Sequence, residues 1–231
     1  MGSTRLPGKV LMKLQGKPIL EHIVDFLRYS KMTNHIVIAT SELSEDNPIE
    51  ELSKRLQISC YRGSASDVLE RYYECAKKFA GDLIVRITAD DPLVNPKLID
   101  EIIQVCKQTN CDYATNILHK TYPVGICGEA FTFKILKQLY EQQKDPSSRE
   151  HVTYHITENP HLYNIREVFA PEKLRRPNWR LTIDYQEDFD LISEIFSKLY
   201  SANSYIEYAL LVKLLDENTH LLKINEKYNL Q

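Results

Sequence analysis

The chain is 231 residues long, 43% hydrophobic and 26% charged, enough to bury a substantial core in one domain of moderate size, with or without a small extra lobe. Its 29 basic and 32 acidic residues leave a formal charge of −3, and the basic residues are not interleaved with aromatics along one face, so no nucleic-acid partner is expected. No apolar run approaches the ~20 residues of a membrane span, no secretory leader is visible, and Cys60, Cys75, Cys106, Cys111 and Cys127 show neither CxxC nor Cys/His metal spacing; a soluble cytoplasmic protein with reduced thiols is expected.

The opening stretch, MGSTRLPGKVLMKLQGKPIL, holds Arg5, Lys9, Lys13 and Lys17 and no acid before Glu21. Gly2, Ser3, Thr4, Pro7 and Gly8 make it a loop. Small residues let backbone N–H groups approach an anion, and Arg and Lys add charge-assisted hydrogen bonds, so the stretch reads as a cradle for a phosphate chain. A loose, solvated basic terminus is the plainer alternative.

Beyond it, Ile19, Leu20, Ile23, Phe26 and Leu27 predict a helix over 19–29, and 35–39 reads as a short apolar strand. Further helices are predicted over 45–57 and 66–80, with strands at 58–61 and 83–87. Asn95 and Pro96 read as cap and first position of a helix through Lys107. Strands alternating with helices of about 10 to 15 residues argue for a mostly parallel sheet covered on both faces, with ligands at the carboxyl ends of strands. After 112–115 the rhythm loosens: 116–130 is irregular, 133–143 and 149–158 are helical, and 163–169 and 180–184 read as strands. An amphipathic helix over 187–200 and another over 205–215 precede a polar tail.

GSTRLPGK followed closely by GKP resembles the signature loop of sugar nucleotidyltransferases. In this wording it is most similar to the spore-coat polysaccharide cytidylyltransferase (SpsF) family, related to the synthetases that activate KDO and acylneuraminates as CMP-sugars. The resemblance recurs in the family's order at ATSELSEDNP, RGSASDVLERYY, VRITADDPLVNP, DPSSREHVT and LTIDYQEDFDLI, and so spans Met1 to about Leu199. It implies an α/β fold with a mostly parallel, Rossmann-like nucleotidyltransferase (GT-A-like) sheet. That sheet would form a single domain over 1–231, with 116–178 as an inserted lobe for substrate and dimer contacts. The implied activity is transfer of CMP from CTP to a sugar or sugar acid, with release of pyrophosphate, for surface polysaccharide synthesis by a homodimer.

Such chemistry asks for cations on the triphosphate, a divalent metal held by carboxylates, and a pocket that aligns the acceptor. Arg5 and Lys9 are the candidate catalytic cations, and Gly2, Ser3 and Thr4 line the nucleotide loop with them. Lys17 matches the lysine of GKP and equally suits a turn into the first helix. Asp90 closes the strand-like VRITAD and Asp184 closes LTID; both match the family's metal-binding aspartates, and two separated carboxylates suit Mg²⁺. Each alone would also serve as a helix cap. Arg62, Gly63 and Ser64 match the family's RGS segment, which implies contact with the cytosine. YPVGICGEAF resembles the family's FPDGLDVEVF, with Val124 and Cys127 in place of two aspartates and Glu129 retained. Glu129, with Glu150 and His151 from REHVT, is the candidate acceptor set, although a histidine near a helix start is more often structural.

One departure concerns the whole sheet. Family members begin with an apolar strand that ends in an arginine directly before Met-Gly-Ser, whereas Met1 is the first residue here; the first central strand is therefore absent, and a misplaced start is the preferred reading over a fragment or a sheet without that strand. A nucleotide-sugar-dependent glycosyltransferase is a second reading, disfavoured because a leaving nucleoside diphosphate needs no cradle for a β,γ-pyrophosphate. A catalytically silent binding protein is the third.

Overall fold

The computed structural model describes residues 1–229. The N-terminal loop closes on a 3-10 turn, Lys9–Leu11, entered through Gly8 at φ 71°, a left-handed value that glycine adopts without strain. A small antiparallel hairpin follows, β1 (Lys13–Leu14) and β2 (Lys17–Pro18). α1 (Ile19–Leu27) leads to β3 (Val37–Ser41), α2 (Asn47–Arg55) and β4 (Ser59–Gly63), and β3 pairs with β4 in parallel. α3 (Val68–Lys78) starts at Asp67, whose carboxylate accepts the Glu70 N–H, and precedes β5 (Leu83–Arg86). α4 (Pro96–Thr109) begins where the sequence predicts: Asn95 accepts from the Lys97 and Leu98 N–H groups, and Pro96 takes a first-turn position that needs no N–H. Then come β6 (Tyr113–Thr115), β7 (Glu129–Thr132), α5 (Phe133–Gln142), α6 (Pro146–His151), α7 (Tyr154–Glu158), β8 (Ile165–Glu167), α8 (Gln186–Leu199) and α9 (Tyr208–Glu217).

β5, β7, β6 and β8 lie side by side in that order. β7 is antiparallel to β5 and to β6, and β6 is parallel to β8, so β5, β6 and β8 share one direction and β7 alone runs against them. The pleat of this sheet separates two cores. Tyr113 and Phe131, opposite each other in the ladder, join Leu69 of α3 and Leu136 and Leu139 of α5. Ala114 and Ala130, the next pair, belong to the other core with Ile99 and Ile102 of α4 and Ile192, Ile195 and Phe196 of α8. Successive residues point to opposite faces, and small alanines let α4 and α8 approach closely while the aromatics fill the side toward α3 and α5. The segment 116–178 contributes β7 and β8 to this sheet.

β3 and β5 do not pair with each other. Among the described residues each has a single strand partner, β4 and β7 respectively, and a cavity of about 950 Å³ separates them, lined by β3, by residues 83–90, by α1 and α3, and at one end by Met1 and Gly2. Among the described residues no strand occupies the central place that the family resemblance leads one to expect. The edges of β3 and β5 that face the cavity have no ladder partner among the described residues.

Besides β1, β2 and β7, which the sequence does not predict, two elements differ from expectation. The helix predicted over 149–158 is broken into α6 and α7 at Val152, which has φ 52° and ψ −61° with the Thr153 N–H donating to the His151 carbonyl at 2.5 Å, a tight turn that a β-branched residue adopts only under strain. Tertiary contacts hold it there: the Val152 side chain is fully buried in the core beside α5, and Thr153 Oγ1 donates to Glu129 at 2.5 Å. The strand predicted over 180–184 is reduced to one bridge between Val124 and Arg180. Leu181, Thr182 and Ile183 are all buried, but the Leu181 and Ile183 N–H groups donate to two different loops, at Val124 (2.7 Å) and Asp90 (2.9 Å), so no ladder propagates. The approach to the Val124 loop is close. A Cβ on Gly125, at φ 95°, would lie 2.4 Å from the Leu181 carbonyl carbon.

Candidate active site

β5 ends at Arg86, and the chain continues through Thr88 into a turn that carries Asp90 and Asp91. Thr88 Oγ1 and the Cys127 thiol donate to Asp91 Oδ2 at 2.8 and 2.9 Å, so the buried Asp91 pins the turn. Burial, and after it the neighbouring Asp90 charge, raise the Asp91 carboxyl above its ordinary value. The Ile183 N–H bond to the Asp90 carbonyl then draws the segment before α8 alongside, which brings Asp184 beside Asp90.

The N-terminal loop closes over both. Lys9, only 9% exposed, points its ammonium at Asp90 Oδ2 (2.9 Å), Asp184 Oδ1 (3.0 Å) and the Ile183 carbonyl (2.6 Å), which uses all three of its donors. Arg5 donates from Nη2 to Asp184 Oδ1 at 2.9 Å, and its guanidinium lies 5.1 Å from the centre of the Tyr185 ring. Arg180 donates from Nη2 to Asp184 Oδ2 at 2.7 Å. Burial works to raise the Asp184 carboxyl, but hydrogen bonds from Lys9 and Arg180 outweigh it and hold the group below its ordinary value, ionised at neutral pH. Arg5 is raised, chiefly by its hydrogen bond to Tyr185, and it stays exposed at the mouth of the site.

Two carboxylate oxygens from separate segments therefore converge on one cation. The Lys9 ammonium marks a point that Asp90 Oδ2 and Asp184 Oδ1 both reach, and a pair of hard oxygen donors fits Mg²⁺ better than a soft metal. Among the described residues no group of three or more His, Cys, Asp or Glu side chains converges.

The other candidates lie apart from this group. Ser3 Oγ accepts the Leu6 N–H at 3.3 Å and shapes the loop, while a Cβ on Gly2 would meet nothing within 4 Å, leaving its backbone open to a ligand; Thr4 is exposed. Lys17 pairs with Asp25 of α1 at 2.8 Å rather than with the Asp90–Asp184 group. Arg62, at the carboxyl end of β4, donates to the Ser41 and Leu43 carbonyls, Asn47 and Glu50, so its guanidinium braces the loop between β3 and α2; Gly63 ends β4 opposite Ser41, and Ser64 Oγ accepts the Asp67 N–H at the start of α3. Glu129 is buried in a closed network: it pairs with Arg86 and accepts from the Tyr113 hydroxyl at 2.6 Å and from Thr153. Burial opposes the Arg86 charge, yet Glu129 keeps it raised. Glu150 and His151 are exposed, while Arg149 of the same motif pairs with Asp67 across to α3.

Sequence reasoning missed the side chains that hold Asp184. Asp188 is fully buried and accepts from the Asp184 and Tyr185 N–H groups at 2.9 and 3.0 Å and from Arg180; Asn225, in the tail after α9, donates to its Oδ1 at 2.8 Å. The motif LTIDYQEDFDLI contained one signal, an acid four residues after Asp184 at the start of a helix. Nothing around Asn225 pointed to a site.

The sequence profile of the cytidylyltransferase family matches residues 1–227. The spore coat polysaccharide biosynthesis protein SpsF of Bacillus subtilis is 37% identical over 203 residues, which is 86% of this chain and 83% of that protein. Among solved structures, a cytidylyltransferase from Leptospira borgpetersenii superposes with a TM-score of 0.90 at 31% identity, covering 96% of this chain and 92% of that one. A CMP:2-keto-3-deoxy-manno-octonic acid synthetase complexed with CTP has a TM-score of 0.63 at 15% identity over 85% of this chain and 95% of its own, a likeness of fold alone. With its profile match along nearly the whole length and its cation-lined carboxylate pair below the opening loop, the chain belongs to the cytidylyltransferase family and is a nucleotidyltransferase.

Proposed function

We propose that the protein is a Mg²⁺-dependent CTP:sugar cytidylyltransferase that transfers CMP to a sugar or sugar acid destined for a surface polysaccharide. The observation that carries this reading is the meeting of Lys9 with Asp90 and Asp184 beneath a loop of small residues. In the reaction an acceptor oxygen bonds to the α-phosphorus of CTP, the bond from that phosphorus to the bridging oxygen breaks, pyrophosphate leaves, and the acceptor's proton passes to solvent. Arg5 forks across phosphate oxygens and Lys9 adds a point charge, so together they neutralise the departing pyrophosphate. Gly2, Ser3 and Thr4 present the backbone to the phosphate chain. Asp90 and Asp184 would hold Mg²⁺, which supplies charge neutralisation at the reacting phosphoryl group. Arg62, Gly63 and Ser64 form the wall against which the cytosine is read, with Arg62 bracing that wall. Glu150 and His151, which are exposed, would meet the acceptor, while Glu129, closed in by Arg86, Tyr113 and Thr153, would brace that side. There Cys127, bonded to Asp91, joins the Asp90 turn to the start of β7.

We propose further that two copies pair in the cytoplasm through the 116–178 segment. It carries exposed Val124, Tyr154, Leu162 and Phe169, with Leu162 60% exposed, and light scattering of the eluted protein tests this. The enzymatic reading is tested by pyrophosphate release from CTP, UTP, GTP and ATP against a panel of sugars and sugar acids. Release with CTP and at least one acceptor is expected, with Asp90→Ala and Asp184→Ala each losing about a hundredfold or more. No release with any pair, from folded protein, would overturn it.

A further inference from the structure

Asp184 accepts from three cations, and its two oxygens face different partners. Oδ1 is turned to Lys9 and Arg5, toward Asp90, whereas Oδ2 is taken by Arg180. Which oxygen faces Asp90 thus depends on Arg180, whose own place is set from behind. Its Nε and Nη2 donate to Asp188 at 3.1 and 3.2 Å, and its carbonyl accepts from Asn225 Nδ2 at 3.1 Å. Burial works against the Arg180 charge, but Asp188 and Asp184 outweigh it and keep the guanidinium charged. Asn225 is 1% exposed and the Asp188 carboxylate it serves is fully buried, so this arrangement is shielded from competing water.

The same tail reaches the site a second time. The Tyr228 ring stacks on Tyr185 with centres 3.9 Å apart and planes within 3°, and Tyr185 carries Arg5 on its ring. Tyr228 and Lys227 are fastened to Glu187 at the start of α8, at 3.0 and 2.5 Å. The segment after α9, which has no sequence motif, therefore supports both Asp184 and Arg5.

On the reading that Asp184 holds the metal, we propose that Arg180, set by Asp188 and by Asn225 of the C-terminal tail, is a positioning residue: it occupies Asp184 Oδ2 and so presents Oδ1 to the divalent ion beside Asp90. A lysine at 180 keeps the charge but lacks the planar fork that serves both carboxylates at once, and loss of the Asn225 amide frees Asp188 to draw Arg180 away from Asp184.

The test is Mn²⁺ binding to the full-length protein with CTP, followed by water proton relaxation, in wild type, Arg180→Lys, Asn225→Ala and Asp184→Asn, with folding checked by circular dichroism. Mn²⁺ is expected to bind about tenfold more weakly in Arg180→Lys and Asn225→Ala, with CTP affinity in the absence of metal unchanged and turnover recovered at saturating Mn²⁺, which a merely structural defect would not allow. Unchanged Mn²⁺ affinity in a folded Arg180→Lys or Asn225→Ala protein, with Asp184→Asn weakened, overturns the positioning role alone. If Asp184→Asn is unaffected too, the metal reading fails and the positioning role falls with it.

Discussion

In the proposed reaction Lys9 serves two kinds of anion, and the geometry sets the order in which it does so. With its donors taken by Asp90, Asp184 and the Ile183 carbonyl, it reaches a phosphate only by leaving the carboxylates, and its departure opens the point between them. Replacing it by an uncharged side chain of similar length leaves two facing carboxylates without that cation. Lys9→Met should therefore bind Mn²⁺ more tightly than wild type in the absence of nucleotide, by about tenfold or more, while turnover falls; isothermal titration with Mn²⁺ reads this, and equal or weaker binding would contradict it. Arg5, Lys9, Asp90 and Asp184 were legible in the sequence because each stands in a short motif at a loop or strand end. Arg62 and Lys17 were harder to read: motif position names a residue but does not say which local acid or carbonyl claims its donors, and here Glu50 and Asp25 do. Asn225 was invisible, since its role depends on a tail folding back across more than thirty residues to reach Asp188.

At the scale of elements, local signals worked where they were self-contained. The Asn95–Pro96 start of α4 and the apolar spacing of α1 and α8 need only neighbouring residues. They failed where distant groups decide, as at Val152, where core burial and the Thr153 bond to Glu129 override helix continuation, and at 180–184, where the N–H partners lie on two loops. The gap between β3 and β5 is the element-scale feature with the largest consequence. Met1 lies at the end of the cavity near Ser41 and Asp46, and its ammonium pairs with Asp46, a carboxylate that also accepts from Thr40 and Ser41. An apolar segment of about five residues joined to the Met1 nitrogen would enter the cavity from the carboxyl end of β3 and run parallel to it, with its ladder groups satisfied on both sides. Such an extension should raise the melting temperature by about 5 °C or more, whereas a charged segment of equal length should not; equal effects would contradict this reading of the cavity.

Across the whole molecule, the βαβ rhythm of the first half and the alternation of Tyr113 with Ala114 and of Phe131 with Ala130 explain why both faces of the sheet are covered by helices. That architecture places the carboxylate pair where separate segments meet, under a loop whose cations have no role in the core, so ligand binding should report on the fold as a unit. The most direct measurement is the melting temperature of the protein with each of CTP, UTP, GTP and ATP, with and without Mg²⁺. A ligand at a hundredfold excess over its dissociation constant adds about 2.7 kcal/mol, or roughly 5–10 °C for a chain of this size. A shift of this order is expected with CTP and Mg²⁺ together, with much smaller shifts for the other nucleotides and loss of the shift in Asp90→Ala and Arg5→Ala. An equal shift with every nucleotide, or a CTP shift that survives both substitutions, would contradict it.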